Sequence, residues 1–453
     1  MALLQADGGG RMSLRRIQNS VLVSFVVLAY NVEETIERCL KSIQQQTVSN
    51  FEVIVVNDAS TDNTLSAAMT YVDGDARFSF IDKPINQGSH LARKSGVAAT
   101  HGSLVYFVDG DDEISPYLVE FLSTISDNRR VDIIRFGVDV IAEGQENQET
   151  LLSMGRMYNS ATGRDTGSEI LKRTYSDAHQ PRDSWSVVAC AYEGALCRSA
   201  FHLMTNERLD YLEDAYQFFV LASQANALVN ATDFRALKYH HGTGRSGRSF
   251  LPLSTFEKNQ RSIRAICDCA LSYSLERGID AEVESARWLQ KKCLEILSID
   301  WTHRLSLDNQ VRAMDVLFSS WGELAVDILI GPLLGRATWV DSNDCLDDGT
   351  FAAWRTAFSR LESHIVKGKY PERYNEYHSV LCSIDEKAKQ RDELRAEQLR
   401  IEEDAHRKQE EAARAIERRN RKISYRLFNF VFPSGSRGRR AISAFLREMN
   451  SPR

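Results

Sequence analysis

None of the eight cysteines in the 453-residue chain belongs to a CxxC pair. Cys267-x-Cys269 has no histidine or cysteine partner at zinc-ligand spacing. A zinc ribbon is thereby excluded, and free thiols of a reducing compartment are expected rather than a disulfide framework. Long apolar runs are also missing: Val21–Tyr30 falls well short of the ~20 residues that span a bilayer, and its composition is that of a strand. The opening MALLQADGGGRMSLRR lacks the positive-then-apolar order of a secretory signal, so a soluble, cytoplasmic protein is expected. No large excess of charge exists either. With 56 basic and 62 acidic residues the net charge is −6, which argues against a nucleic-acid partner for the molecule as a whole.

Between Val21 and about Ile141, short β-branched runs alternate with amphipathic stretches. The runs Val21–Ala29, Phe51–Asn57, Arg77–Ile81, Leu104–Val108 and Val131–Phe136 predict strands. Glu33–Gln45, Thr61–Tyr71, Gly88–Thr100 and Pro116–Ile125 predict helices, with Ile36, Leu40 and Ile43 on one apolar face. This alternation implies an α/β fold with a mostly parallel central sheet covered on both faces. Ligands of such sheets bind beyond the carboxyl ends of the strands, where Asn31, Asp58, Asp62, Asp109, Asp111 and Asp112 all fall. The composition suggests four parts: 20–250 for the α/β domain, 251–383 mostly helical, 384–423 a charged helix or weak coiled coil, and 424–453 a basic amphipathic tail.

The stretch YFVDGDDEISP puts four carboxylates within five positions at the end of an apolar run. Like charges so placed must remain solvated or find a cation. Asp109 and Asp111 are two apart, so on an extended strand end their side chains project to one side. Gly110 between them would let a bulky anion approach the backbone. Two hard oxygen donors suit Mg²⁺ or Mn²⁺, although an acidic turn at the surface would read the same way.

Four blocks in order, VVLAYNVEETIERCLKSIQQQT, FEVIVVNDASTDNT, NQGSHLARKSG and VYFVDGDDEISP, resemble the nucleotide-sugar-binding half of the family 2 inverting glycosyltransferases with the GT-A fold. The resemblance is close over about 20–125 and looser to about 250. It implies that Asp58 accepts the N3–H of a uracil, a charge-assisted bond that cytosine cannot make but thymine can. Ala29 and Tyr30 would surround the base, Glu33 would lie near the ribose, and Arg93 would position the diphosphate or Asp109. Asp109 would face the ribose or metal, and Asp111 would hold the metal. In YLEDAYQFF the resemblance makes Asp214 the base that activates the acceptor hydroxyl, although Glu213-Asp214 would equally suit a helix N-terminus. In KYHHGTGRSGRS it offers His241 as a third metal ligand and Arg245 for phosphate, where a solvated loop would also fit.

The reaction so implied moves a hexosyl or N-acetylhexosaminyl group from a UDP-sugar to a hydroxyl of a glycan, lipid-linked or envelope acceptor, by direct displacement with a divalent metal. The QxxRW pattern of processive members is absent. Two other classes stay open: a nucleotidyltransferase, whose early Gly-rich loop LAYNVEET lacks, and a non-catalytic scaffold assembled through the C-terminal helices. The tail alternates basic clusters with Leu427, Phe428, Phe430, Val431, Phe432, Ile442, Phe445 and Leu446. It suits either peripheral contact with an anionic inner leaflet or assembly with a second copy.

Overall fold

The computed structural model describes residues 2–6, 12–16, 21–126, 131–143, 148–242, 250–343, 350–364 and 371–449. Chain contacts divide it into two compact units, Met1–Leu333 with Gly349–Ile365, and Leu334–Asp348 with Val366–Arg453.

Strands β1 (Ala2–Ala6) and β2 (Met12–Arg16) pair antiparallel as a separate ribbon. The main sheet of the first unit then begins with β3 (Val23–Ala29), β4 (Phe51–Asn57), β5 (Phe78–Asp82) and β6 (Leu104–Asp109). These lie in the order β5-β4-β3-β6, all parallel. Helices α1 (Ile36–Gln44), α2 (Thr64–Tyr71) and α3 (Gly88–Ala98) form the connections. Because helices cover both faces, β3 and β4 are buried almost end to end, as their continuous β-branched runs require. On α1 the buried side chains Ile36, Cys39, Leu40 and Ile43 recur at helical spacing and seat it on the sheet.

Beyond β6 the sheet becomes mixed. A two-residue strand β7 (Glu113–Ile114) follows the acidic turn, then α4 (Leu118–Ser126), β8 (Ile133–Ala142), α5 (Gln148–Asn159), β9 (Gly163–Thr166) and α6 (Ser168–Thr174). The apolar run Val187–Leu196 divides into a tight 3-10 turn, β10 (Cys190–Glu193) and the start of α7 (Gly194–Leu203). Strand β10 inserts antiparallel between β6 and β8, so β8 does not extend the parallel set directly. After α8 (Glu213–Gln224), the fifteen-residue β11 (Ala227–His241) runs parallel to β8 and antiparallel to β7 and β9.

Helices α9 (Leu253–Arg277), α10 (Asp280–Ile299) and α11 (Leu307–Trp321) belong to the same unit as the sheet, as does α13 (Thr350–His364), while α12 (Leu324–Asn343) lies between α11 and α13 in sequence. Trp288 of α10 meets Tyr175, and the Tyr273 hydroxyl of α9 bonds Ser223 of α8 at 2.8 Å. The second unit holds α14 (Pro371–Val431), one helix of 61 residues that runs through positions 384 and 424, where the composition changes, and α15 (Arg437–Met449). Among the described residues no helix is long and apolar enough to cross a membrane. The seven described cysteines are free thiols.

Candidate functional site

Strand order reverses between β3 and β6, which opens a crevice at their carboxyl ends. Ala29 and Asp109 end these two strands, with Leu28 in register with Asp109. The loops that follow β3 and β4 each contain a non-glycine residue in the left-handed region, Asn31 at φ 53° and Ala59 at φ 57°. A third, Leu212 at φ 59°, immediately precedes α8. Such backbone is held only where surrounding contacts enforce it. Here the Asn31 side chain accepts the N–H of Thr61 at 2.8 Å, and the Ser60 hydroxyl accepts the N–H of Asn31 at 3.1 Å.

Asp58 is buried and fully engaged. It pairs with Lys83 at 2.8 Å and accepts the N–H groups of Gln87 at 3.0 Å and Gly88 at 2.7 Å. It therefore fastens the start of α3, where the helix dipole also favours a negative charge. Gly88 has φ +84°, and a Cβ there would meet Asp210 Oδ1 and the Leu209 carbonyl at 3.3 Å, so the turn calls for glycine. Tyr30 is exposed beside the crevice. The exposed Glu33 accepts the N–H of Asn63, and Asp62 takes the N–H and hydroxyl of Thr64 at the first turn of α2.

The acidic turn departs from expectation in two ways. The chain reverses directly after Asp109, with Asp112 N–H donating to the Asp109 carbonyl at 3.0 Å, so Asp109 and Asp111 do not lie along one extended strand. Gly110 is not dictated by ligand access either. A Cβ there would meet the Leu28 carbonyl at 2.7 Å and Val32 at 3.0 Å, so close packing on β3 and its loop demands it. Next along, Asp112 is 1% exposed and accepts the His240 N–H at 2.9 Å, but its buried Oδ2 has no hydrogen-bond partner among the described residues.

Arg93 links this turn to the second acidic motif. Its buried guanidinium donates to Asp109 at 3.1 Å, to Glu213 at 3.1 Å and to Gln217 at 3.2 Å. The Ser89 hydroxyl also donates to Glu213. Burial opposes the charge on Glu213, but Arg93 and Ser89 outweigh it and hold the carboxyl below its usual range. Asp214, the next residue, gains no such partner. Burial, reinforced by the Glu213 charge, raises its pKa to about 7. Burial raises Asp109 too, against the pull of Arg93. Neighbouring carboxylates of unequal pKa suit a division between a structural anion and a proton acceptor.

The helical part of the unit contributes support. Ser262 of α9 accepts the N–H groups of Asp210 and Tyr211, each at 3.0 Å, and donates to the Tyr211 carbonyl at 2.9 Å. It thereby holds the loop that delivers Glu213 and Asp214. Neither Ser262 nor Lys83, Ser89 and Gln217 was marked by the sequence, since each acts through a contact distant along the chain.

The expected trio Asp109, Asp111 and His241 does not form a ligand group: among the described residues no group of three or more His, Cys, Asp or Glu side chains is arranged so that it could hold a metal ion. His241 is buried at the end of β11, with its ring against Tyr239 at 6.1 Å. Its neighbour His240 lies between Glu143 at 2.6 Å and Glu113 at 3.0 Å. Arg245 and Arg248 fall outside the described residues. At the turn, burial first and the neighbouring carboxylates second raise the pKa of Asp112, and burial raises that of Asp109 against the pull of Arg93. Carboxylate oxygens are the donor type that hard divalent cations take.

Arg93→Met tests the bridge. With Glu213 and Asp109 stripped of their cation, unfolding free energy should fall by about 3 kcal/mol, reduced from the fully buried case because a third of the Asp109 side chain meets water. Urea denaturation measures this. Arg93→Lys should recover only part of the loss, since one ammonium cannot span both carboxylates. Equal stability of Arg93→Met and the parent would remove the bridge from the account.

Residues 24–197 match the family model described as Glycosyl transferase family 2. The chain is 32% identical over 194 residues to the uncharacterized glycosyltransferase EpsJ of Bacillus subtilis, which covers 43% of this chain and 54% of that protein. It is 37% identical over 118 residues to the putative glycosyltransferase EpsH of the same organism, 26% of this chain and 34% of that one. The matched stretch thus spans about half or less of these relatives' length. Among solved structures, S. aureus TarS 1-349 in complex with UDP-GlcNAc superposes with a TM-score of 0.50 at 17% identity, over 81% of this chain and 92% of that one. This likeness is one of fold. The family match takes in β3, β4, β5 and β6 with the loops that follow them, and residues 24–197 constitute a family 2 glycosyltransferase domain with the GT-A fold.

Proposed function

We propose that the chain transfers a hexosyl or N-acetylhexosaminyl group from a UDP-sugar to a hydroxyl of a glycan, lipid-linked or envelope acceptor, with inversion at the anomeric carbon. The observation that carries this reading is the Arg93 bridge, which joins the acidic turn to the start of α8 and leaves Asp214 with a pKa of about 7 beside it. A carboxylate so tuned can take a proton from an acceptor hydroxyl near neutral pH. The UDP-GlcNAc bound by TarS supports a nucleotide-sugar donor.

In this reading the base and ribose lie between Tyr30 and the loop that follows Asp58, with Ala29 and Glu33 at the edges. Asp58 already serves Lys83 and the α3 N-terminus, so a pyrimidine N3–H would share its oxygens with these donors. Asp109 and Asp111 would hold Mn²⁺ or Mg²⁺, which neutralises the charge that builds on the departing diphosphate. Arg93 keeps Asp109 oriented and Glu213 ionised. The Glu213 charge in turn raises the basicity of Asp214, which accepts the acceptor's proton as its oxygen attacks the anomeric carbon from the face opposite the diphosphate.

Incubation with a panel of UDP-sugars, Mn²⁺ and candidate acceptors, reading UDP release and product anomeric configuration, tests the proposal. Acceptor-dependent UDP release with an inverted product is expected. Cleavage of nucleoside triphosphates instead would favour a nucleotidyltransferase, and inertness toward every nucleotide would favour a scaffold. The pH dependence follows from Asp214. It acts as a base only when ionised, so kcat/KM should climb with pH up to about 7 and level above it. A profile flat between pH 5 and 8, measured at about constant saturation, would move the base elsewhere.

A further inference from the structure

We propose that the C-terminal end of the chain, from Ile416 onward, docks on an anionic lipid surface, a reading independent of the transfer chemistry. Charge separates abruptly within α14. Acidic and basic residues mix from Asp385 to Glu417, whereas Arg418–Arg447 contains nine arginines and lysines and no aspartate or glutamate. With a net charge of −6 overall, everything before this stretch is acidic on balance. A local basic patch on an acidic protein marks an anionic partner.

The same stretch leaves apolar side chains in water. Ile416, Ile423, Leu427 and Phe430 follow one another at seven, four and three residues, which places them on one face of α14. They are 61%, 45%, 58% and 84% exposed. Arg419, Lys422 and Arg426, also at three- and four-residue spacing, occupy the adjoining face. The helix ends at a turn, and Arg439 of α15 lies over the Phe428 ring at 5.7 Å, tying α15, with Arg437, Arg439 and Arg440 in its first turn, to this end of α14.

Cations beside an exposed apolar stripe complement a bilayer interface, which takes the aromatic and aliphatic groups below the headgroups while the long basic side chains reach the phosphates. Two copies laid stripe to stripe would bring matching basic faces together, with no acidic residue between Arg418 and Arg447 to separate them. A nucleic acid would use the charges but leave the stripe wet. Because no described helix can span a membrane, the segment would lie along the surface.

Co-sedimentation of the full chain with phosphatidylcholine vesicles, with and without phosphatidylglycerol, tests this. Binding should require phosphatidylglycerol and weaken as salt rises. Arg419→Gln, Lys422→Gln and Arg426→Gln together should lower partitioning about a hundredfold. Leu427→Ser with Phe430→Ser should lower it at least about tenfold. All five positions are solvent-exposed or on the exposed helix, so circular dichroism should be unchanged. Failure of the parent to bind anionic vesicles, or binding that neither variant weakens, overturns the proposal. Loss of a dimer in light scattering from the serine variant, with vesicles ignored throughout, would make the stripe an interface between copies.

Discussion

Asp214→Asn is expected to reduce turnover by about 10²–10⁴ while leaving UDP-sugar affinity nearly unchanged. The substitution keeps the shape and the first turn of α8, where Asp214 Oδ1 accepts the Ala215 N–H at 2.9 Å, but removes the proton acceptor. It should not harm the fold. Folding raises the Asp214 pKa from the ordinary carboxylate value to about 7, so the folded state retains a proton that the unfolded chain releases. Ionising that group therefore costs stability progressively as pH rises from about 4 to about 7, and asparagine escapes the cost. The variant should melt at the same or a higher temperature than the parent at pH 8, while below pH 4 the difference should vanish. Single-turnover kinetics alongside calorimetric titration of the UDP-sugar separate chemistry from binding. Near-parental turnover would transfer the base role to Glu213, although Arg93 and Ser89 hold that carboxyl at low basicity.

Asp111→Asn should have the opposite signature. It deletes a hard anionic donor from the turn, so UDP affinity should lose most of its dependence on Mn²⁺, a drop of at least about tenfold, and transfer should cease. Affinity for UDP in the presence of chelator should remain as in the parent. Titration of UDP with Mn²⁺ and with chelator reads both numbers. If Asp111→Asn binds Mn²⁺ and UDP as the parent does, the turn is not the cation platform. Asp109→Asn is the less clean probe, because Asp109 also anchors Arg93.

Residue pattern alone located much of the first half of the sheet. Phe51–Asn57 is a strand with the bounds its β-branched run predicts, and Gly88 opens α3 where the helical periodicity starts. Such elements are legible because their apolar positions answer to a sheet covered on both sides, a constraint that shows in every residue. Strand β10 is four residues long and antiparallel, inside an apolar run that also contains a turn and a helix start, so no period marks it. Strand β11 carries irregular register between Ala231 and Leu237, which breaks the alternation that would have announced it.

The acidic turn and the Glu213-Asp214 pair were both visible as local clusters of charge, and their types alone constrain the chemistry to cations and protons. What a linear pattern does not contain is the Arg93 bridge between groups more than a hundred residues apart, or the unequal environments that lower Glu213 and raise Asp214. Nor does it tell that Gly110 is needed for packing on β3, or that Asp58 is spent on Lys83 and the α3 N-terminus. Periodicity and charge are properties of neighbours along the chain, so they specify elements and candidate groups. Proton affinity and ion pairing depend on burial and on which distant groups meet, and only the tertiary structure decides those.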